Sequence, residues 1–266
     1  MMEDGTGHDR RPLALVTGAS SGIGEAYARL LAREGHDLWL VARGRERLDA
    51  LSEELEASGM VCRVVPCDLS DRQELSVLAD DVRAEPRISV LVHAAGFGVH
   101  GQVGEADPAK LQAMADVHVG ATIALCSAAA PGMRSRRSGS IVVVSSIAGW
   151  LAGSGSATYC ATKAFETTFA RSLSREMRRN GVHVQALCPG YTRTRFHDTP
   201  EYAHWSRSSV PSFLWSTPEF VAETSWKRLG RGEVCSPGWF NACLRLVAAV
   251  GLANPLGRLR ETIRRP

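Results

Sequence analysis

Tyr159 and Lys163 are the side chains whose types and spacing most directly suggest acid–base chemistry. They stand four residues apart in a segment with a helical pattern, so they share one face of the helix, one turn apart. A neighbouring ammonium favours the phenolate form, which lowers the pKa of a tyrosine from its ordinary value of ~10. The pair therefore predicts a general acid/base, provided that the rest of the chain brings a substrate to it.

A glycine-rich turn near the start of the chain predicts a site for a pyrophosphate. Residues 18–24 read Gly-Ala-Ser-Ser-Gly-Ile-Gly, between an apolar run at 13–17 and a helical pattern that stops at Gly35. Glycines let the backbone approach a ligand closely, and the first turn of the next helix offers free N–H groups. A tight turn that binds nothing would contain the same glycines, so its position between the first strand and the first helix is what favours the ligand site.

The residues after the second predicted strand, 37–41, indicate which dinucleotide fits. An acidic residue at this point typically holds the ribose 2′-hydroxyl of NAD. Here Ala42 is followed by Arg43, Gly44 and Arg45, with no acid among them. A guanidinium suits a 2′-phosphate, so the pattern favours NADP. The alternative is that both arginines only begin the solvated face of the next helix.

Strands alternate with helices along the chain, and this order predicts an α/β fold with a doubly wound parallel sheet. Crossovers in such sheets are right-handed, and ligands bind at the carboxyl ends of the strands. A seventh strand at the sheet edge is expected at 233–236, which gives about seven strands with helices on both faces. The six preceding strands are expected at 13–17, 37–41, 61–66, 88–92, 140–145 and 182–188.

The loops after the third and fourth strands add candidate ligand contacts. Asp68 has two interpretations: it accepts a hydrogen bond from an adenine amine, or it caps the helix that starts near Arg72, for which Ser70 is the better cap. The small residues at 93–98 leave room for a ligand at the crevice. A long helix with an apolar stripe is expected over 108–130.

Together these segments resemble the short-chain dehydrogenase/reductase family, in its compact single-domain form, over about the first 195 residues. The resemblance implies a Rossmann fold and a catalytic serine thirteen residues before the tyrosine, a spacing that Ser146 satisfies and Ser145 does not. The cofactor contacts that it implies are Gly18, Ser20, Ser21, Gly22, Ile23, Gly24, Arg43, Asp68, Leu69, His93, Ala94, Ala95, Gly96, Tyr159, Lys163, Pro189, Gly190, Thr192 and Thr194.

The chain departs from the family pattern at three places. The family usually has Asn-Asn-Ala-Gly after strand four, where this chain begins with His93. His118 stands where the family usually has an asparagine, a fourth catalytic member that holds a water on a proton relay. Imidazole can donate and accept a hydrogen bond, so His118 is either a proton shuttle or a helix-packing histidine. Ser21 replaces the basic residue often found in the glycine turn of NADP-binding members.

The resemblance ends in the last quarter of the chain, the region that determines substrate specificity in the family. Aromatic residues at 202–215 suggest that 191–216 form a lid over a bulky apolar substrate, or pack the core under a long loop. The C-terminal extension, 239–266, is apolar and then basic. Packing on the protein's own surface or on a second subunit is favoured over a membrane-surface helix or a docking patch for an acidic carrier protein.

Composition limits the class of protein. A chain of 266 residues suits one domain, 12–266, after a polar N-terminal tail, 1–11, without the apolar core of a signal peptide. The net charge of +3 does not favour nucleic acid. Seven cysteines without metal-ligand spacing indicate a reduced, cytoplasmic protein without a metal. No run is expected to be long and apolar enough to span a membrane.

The leading expectation is an NADP(H)-dependent oxidoreductase that reduces a ketone or aldehyde, or oxidises the matching alcohol. By resemblance it is a homodimer or homotetramer. One alternative is a 3-oxoacyl-thioester reductase of fatty-acid or polyketide metabolism. An alternative of another class is a catalytically silent NADP-binding regulator, because a fold does not by itself imply a function.

Overall fold

The computed structural model describes residues 11–198 and 206–249. Most of the predicted N-terminal tail, the middle of the predicted lid and the end of the C-terminal extension lie outside them. The strands are β1 (Leu13–Thr17), β2 (Asp37–Ala42), β3 (Cys62–Pro66), β4 (Ile88–His93), β5 (Gly139–Val144), β6 (Val182–Leu187) and β7 (Val234–Cys235). The helices are α1 (Gly22–Arg33), α2 (Arg45–Ala57), α3 (Arg72–Ala84), α4 (Pro108–Ala115), α5 (Ala121–Arg136), α6 (Ala157–Met177), α7 (Pro218–Arg228) and α8 (Trp239–Ala249).

The seven strands form one parallel sheet in the order β3-β2-β1-β4-β5-β6-β7. The strand order reverses between β1 and β4, where Thr17 at the end of β1 pairs with His93 at the end of β4. This reversal opens a crevice for a ligand at the carboxyl ends of the strands. The predicted doubly wound sheet is confirmed, and β7 is its edge strand, although it is shorter than predicted.

Two apolar layers cover the sheet. Along β1, Leu15 joins the layer under α3, α5 and α6, while Val16 joins the layer under α1, α2 and α7. This alternation follows from the two-residue period of a strand. Both faces of the central strands are therefore buried, as their continuous apolar sequences predict.

The long central helix is interrupted and extends further than predicted. α4 passes through a π-helical turn, Asp116–Gly120, into α5, which ends at Arg136 rather than near residue 130. The continuous run Pro108–Arg136 is long and apolar enough to cross a membrane by length and composition, contrary to expectation. Its most apolar window is 56% buried inside the protein, so packing on the sheet and α3 accounts for that composition.

The cap of α3 differs from the predicted one. Asp71, not Ser70, is the N-cap, and its carboxylate accepts from the N–H groups of Gln73 at 2.8 Å and Glu74 at 3.0 Å. The Ser70 hydroxyl instead donates to Asp68 over 2.7 Å. Asp68 thus forms a local turn before the helix and does not cap it.

The described part of the C-terminal extension packs on the protein's own surface. α8 lies against the 3-10 turn Ile147–Trp150, and the Arg245 guanidinium lies 5.9 Å from the centre of the Trp150 ring. The outer face of the helix exposes Trp239 and Leu246.

Candidate active site

α6 holds Tyr159 and Lys163 on one face, as the four-residue spacing predicts. The Lys163 Nζ atom lies 5.8 Å from the centre of the Tyr159 ring. Lys163 is only 4% exposed, so its charge acts in a poorly solvated environment. The structure therefore brings a phenol next to a buried ammonium.

Two acceptors fix the Lys163 ammonium. It donates to the carbonyl of Val144, at the end of β5, over 3.1 Å. It also pairs with the Glu166 carboxylate, at 3.2 Å from Oε1 and 2.9 Å from Oε2. Sequence reasoning missed Glu166. The available signal was its place three residues after Lys163, on the same core-facing side of the helix.

Ser146 and Ser145 follow β5 but do different work. The Ser145 hydroxyl is buried and donates to the Lys163 carbonyl over 2.6 Å, so it anchors α6. Ser146 is half-buried, and its Oγ accepts from the Ala148 N–H over 3.1 Å. Because Oγ is the acceptor in that bond, its O–H proton is free to point at a substrate. The catalytic role of Ser146 stays a prediction.

His118 is fully buried in the π-helical turn, with Nδ1 2.9 Å from Thr162 Oγ1. The Thr162 hydroxyl donates its one proton to the Tyr159 carbonyl over 3.0 Å. Nδ1 must therefore carry the hydrogen, and Nε2 is left as a bare acceptor. Burial, and then the charge of Lys163, hold the pKa of His118 well below its usual value, so the ring is neutral.

The Nε2 atom of His118 faces the space between Gly96 and Lys163. A Cβ atom at Gly96 would lie 2.8 Å from Nε2 and 3.5 Å from Lys163 Nζ. No described side chain hydrogen-bonds to Nε2. His118 Nε2 and Lys163 Nζ thus border the same small space, and a residue larger than glycine at position 96 would fill it.

His93 is buried at the end of β4, and its hydrogen bonds connect β4 to the end of β1 and to the π-helical turn. Thr17 Oγ1 accepts from the N–H groups of Ala94 and Ala95, so its proton goes to His93 Nδ1 at 3.0 Å. Nε2–H then donates to the Val117 carbonyl over 3.2 Å. Burial, together with Lys163, lowers the pKa of His93 to about 4. The structure uses both ring nitrogens of this predicted cofactor contact within the fold.

The glycine turn has the shape of a phosphate cradle. A Cβ atom at Gly24 would lie 2.3 Å from the Gly18 carbonyl oxygen, and one at Gly22 would lie 2.8 Å from Thr194. Ser21 is the N-cap residue of α1 but makes no side-chain capping bond. The first N–H groups of α1 therefore have no side-chain cap, which suits a bound phosphate. The half-buried residues Ser20 and Ile23 complete the turn.

Arg43 and Asp68 are electrostatic neighbours at the ends of β2 and β3. Partial burial raises the pKa of Asp68, but hydrogen bonds from Ser70 and the charge of Arg43 outweigh it and lower the pKa overall. Arg45 is instead paired with Asp49 on α2, at 3.8 Å. Arg45 is thus paired on α2, whereas Arg43 lies near Asp68 at the carboxyl ends of β2 and β3.

Leu69 and the segment after β6 complete the predicted cofactor residues. The Leu69 side chain is buried in the core. Thr192 is buried and donates to the Gly190 carbonyl over 3.1 Å. The Pro189 carbonyl accepts from the N–H of Ile147 at 2.9 Å, which joins this segment to the turn after Ser146.

Aromatic rings surround Tyr159. The Phe196 ring lies 5.7 Å and the His118 ring 5.9 Å from it, and Phe97 lies 6.4 Å from His118. The aromatic residues predicted for the lid were those at 202–215, and Phe196 and Phe97 were not among them. Among the described lid residues, the Trp215 ring lies 5.4 Å from the Tyr191 ring and is tilted against it by 45°.

Of the other predicted lid aromatics, only Phe213 lies within the described residues. Phe213 is 72% exposed. Tyr202 and Trp205 lie outside the described residues.

Comparison with known proteins identifies relatives of this site and fold. The model of the short chain dehydrogenase family matches residues 12–202. An uncharacterized oxidoreductase of Myxococcus xanthus (strain DK1622) is 34% identical over 247 residues, covering 91% of this chain and 93% of the relative.

Solved structures agree with this match. A short-chain dehydrogenase from Sphingobium yanoikuyae in complex with NADPH aligns with a TM-score of 0.81 at 31% identity, covering 92% of this chain and 94% of the other. The bulky-bulky ketone specific alcohol dehydrogenase from Comamonas testosteroni aligns with a TM-score of 0.76 at 27% identity, covering 96% and 95%. This chain therefore belongs to the short-chain dehydrogenase/reductase family and is an NAD(P)-dependent oxidoreductase with a Rossmann fold that acts on CH–OH or carbonyl groups.

Proposed function

We propose that the protein is an NADP(H)-dependent reductase of bulky ketones or aldehydes, and oxidises the matching alcohols, with Tyr159 as the proton donor or acceptor. The observation that carries this proposal is the buried Lys163 ammonium 5.8 Å from the Tyr159 ring. A charge held in a site of low polarity stabilises a phenolate more strongly than the same charge in water.

In the reduction, Ser146 and Tyr159 act on the carbonyl oxygen. Ser146 donates its free O–H proton and polarises the carbonyl, and Tyr159 supplies the proton that the developing alkoxide takes up. Bound nicotinamide supplies the hydride for the carbonyl carbon. Lys163 then stabilises the phenolate that is left. The glycine turn and the first turn of α1, uncapped by a side chain, have the shape that the pyrophosphate requires.

His118 is the proposed hydrogen-bond acceptor in the path that returns a proton to Tyr159. Its bare Nε2 atom borders the same space as Lys163 Nζ, next to Gly96. We propose that Nε2 accepts a hydrogen bond from Lys163 or from a water in that space, and so takes over the role of the asparagine usual in the family. Since the ring is neutral, it works as an acceptor rather than as an acid.

The preference for NADP(H) rests on Arg43, and we expect Arg43→Asp to lower the ratio of kcat/KM for NADPH to that for NADH by about 100-fold. The change removes a charge-assisted hydrogen bond to the 2′-phosphate and adds repulsion, and each factor of ten is ~1.4 kcal/mol. Steady-state kinetics with both cofactors measures the ratio. Arg45→Asp is the matched control, because Arg45 pairs with Asp49 on α2. An unchanged ratio in Arg43→Asp would disprove the role of Arg43.

The substrate is proposed to be bulky and apolar because Phe196 and Phe97 line the region around Tyr159 and His118. The specificity stated for the Comamonas alcohol dehydrogenase points the same way. A homodimer or homotetramer and a cytoplasmic location remain predictions, and the seven free cysteines support a reducing compartment.

The experiment that tests the function is NADPH oxidation with a panel of bulky ketones, aldehydes and acyl thioesters. We expect kcat/KM for bulky aryl ketones to exceed that for acyl thioesters by at least about tenfold, which requires ~1.4 kcal/mol of differential binding. The opposite order would favour a 3-oxoacyl-thioester reductase. NADPH binding without turnover of any panel member would favour the silent regulator.

A further inference from the structure

Glu166 is a carboxylate that lies fully inside the protein, directly behind the proposed catalytic lysine. It is 0% exposed, and both its oxygens lie within 3.2 Å of Lys163 Nζ. In the described part of the chain, Glu166 and Lys163 form ion pairs only with each other. Burying two charges is costly unless they are paired, so a carboxylate kept here calls for a physical explanation.

The other titratable groups around this pair are neutral. Cys126 on α5 and Cys188 after β6 face Glu166, and burial raises the pKa of both thiols, to about 12 for Cys126. His93 and His118 lie on the Lys163 side, and burial lowers the pKa of both rings. A further charge nearby is Arg245 of α8, which acts on Cys188. The charge that acts on Glu166 itself is that of Lys163.

The charge of Glu166 changes near neutral pH. Burial raises its pKa to about 7, although Lys163 opposes the rise. Above that pH the pair is neutral overall, and below it the Lys163 charge acts alone on its surroundings. In a site of low polarity this difference reaches a phenol one helix turn away.

Glu166 also restricts the direction of Lys163. An ammonium has three donors. One goes to Val144 and one to Glu166, and the third remains for the crevice. Orientation and charge compensation thus come from the same carboxylate.

We propose that Glu166 is a positioning residue that sets the pH at which Tyr159 loses its proton, by compensating the charge of Lys163. This inference rests on the proposed function, since it assumes that Tyr159 is the acid/base. Glu166 acts through Lys163 and has no direct role toward substrate or cofactor.

The test is a spectrophotometric titration of the tyrosine phenolate band in the cofactor-free protein. The chain has four tyrosines, and the difference between wild type and Tyr159→Phe isolates the signal of Tyr159. We expect Glu166→Gln, an isosteric change that removes the compensating charge, to lower the ionisation midpoint of Tyr159 by about one pH unit. The pH limb of kcat for alcohol oxidation should move by the same amount, with the KM for NADP within about twofold, as expected for a change in transition-state chemistry alone.

Two further variants make the result specific. Glu166→Asp places its carboxylate one methylene further from Nζ, so it should lower the midpoint by a smaller amount, and it carries the test if Glu166→Gln does not fold. Glu176→Gln, at an exposed position of the same helix, should leave the midpoint unchanged. An unchanged or raised midpoint in the folded Glu166 variants would overturn the inference. If Tyr159→Phe retains full turnover, the proposed function itself fails.

Discussion

Tyr159→Phe is expected to lower kcat for carbonyl reduction by about 10³-fold, within the 10²–10⁴ range of general acid catalysis. Phenylalanine keeps the ring, and with it the contacts to Phe196 and His118 at 5.7 and 5.9 Å. It removes the one proton that the developing alkoxide takes from the protein. The loss should therefore fall on the chemical step and leave the fold intact.

The measurement is single-turnover reduction of a bulky ketone, together with NADPH binding followed by fluorescence. Binding should stay within about threefold of wild type, because the cofactor is held mainly by other segments. Tyr191→Phe is the matched control, since the Tyr191 ring packs against Trp215. A kcat within threefold of wild type in Tyr159→Phe would contradict the assignment of the acid.

The fold was predictable because each strand is a short apolar run followed by a loop and a helical pattern. β1, β4 and β5 begin and end within one residue of the sequence prediction, since continuous apolar runs mark strands buried on both faces. The long helix that contains His118 was predicted, but its π-helical turn was not. A π-helical turn inserts an extra residue into a helix that keeps its apolar stripe, so periodicity does not reveal it.

The site was predictable where chemistry depends on local spacing, as for Tyr159 and Lys163. It was not predictable where residues distant in the chain meet. Gly190 lies so close to Asn241 of α8 that a Cβ atom would be 2.3 Å from Oδ1, and nothing in either segment signals this contact. Glu166 was overlooked for a different reason, because a charged residue on a helix usually faces solvent.

As the pH falls from ~6.5 to ~4, the free energy of unfolding should drop in wild type. In His93→Asn this drop should be smaller by about 3 kcal/mol. In the folded state burial lowers the pKa of His93 to about 4, whereas an unfolded histidine titrates at its ordinary value. Between these two pKa values the unfolded chain therefore binds a proton at this histidine and the folded protein does not. The stabilisation is present above the unfolded pKa and is lost as the pH falls through this window.

Asparagine is the informative replacement, because its amide can donate to the Val117 carbonyl and accept from Thr17 as the neutral ring does. Urea unfolding at a series of pH values from 4 to 7.5 gives the free energy of unfolding for each variant. His183→Asn, at an exposed position of β6, is the control and should keep the slope of wild type. Equal slopes for His93→Asn and wild type would show that His93 is not the group that titrates.

Glu166 gives the free energy of unfolding the opposite pH dependence to His93. The slope of that free energy against pH in wild type therefore contains contributions of both signs. Its folded pKa is raised to about 7, so its contribution to stability is present at low pH and is lost as the pH rises through that value. His118 has the same sign as His93, because burial lowers its pKa as well. Between ~4.5 and ~6.5 the two histidines therefore oppose Glu166 in wild type. Removing His93 should make the stability fall less steeply toward acid in this window, a change of slope that a general loss of packing would not produce.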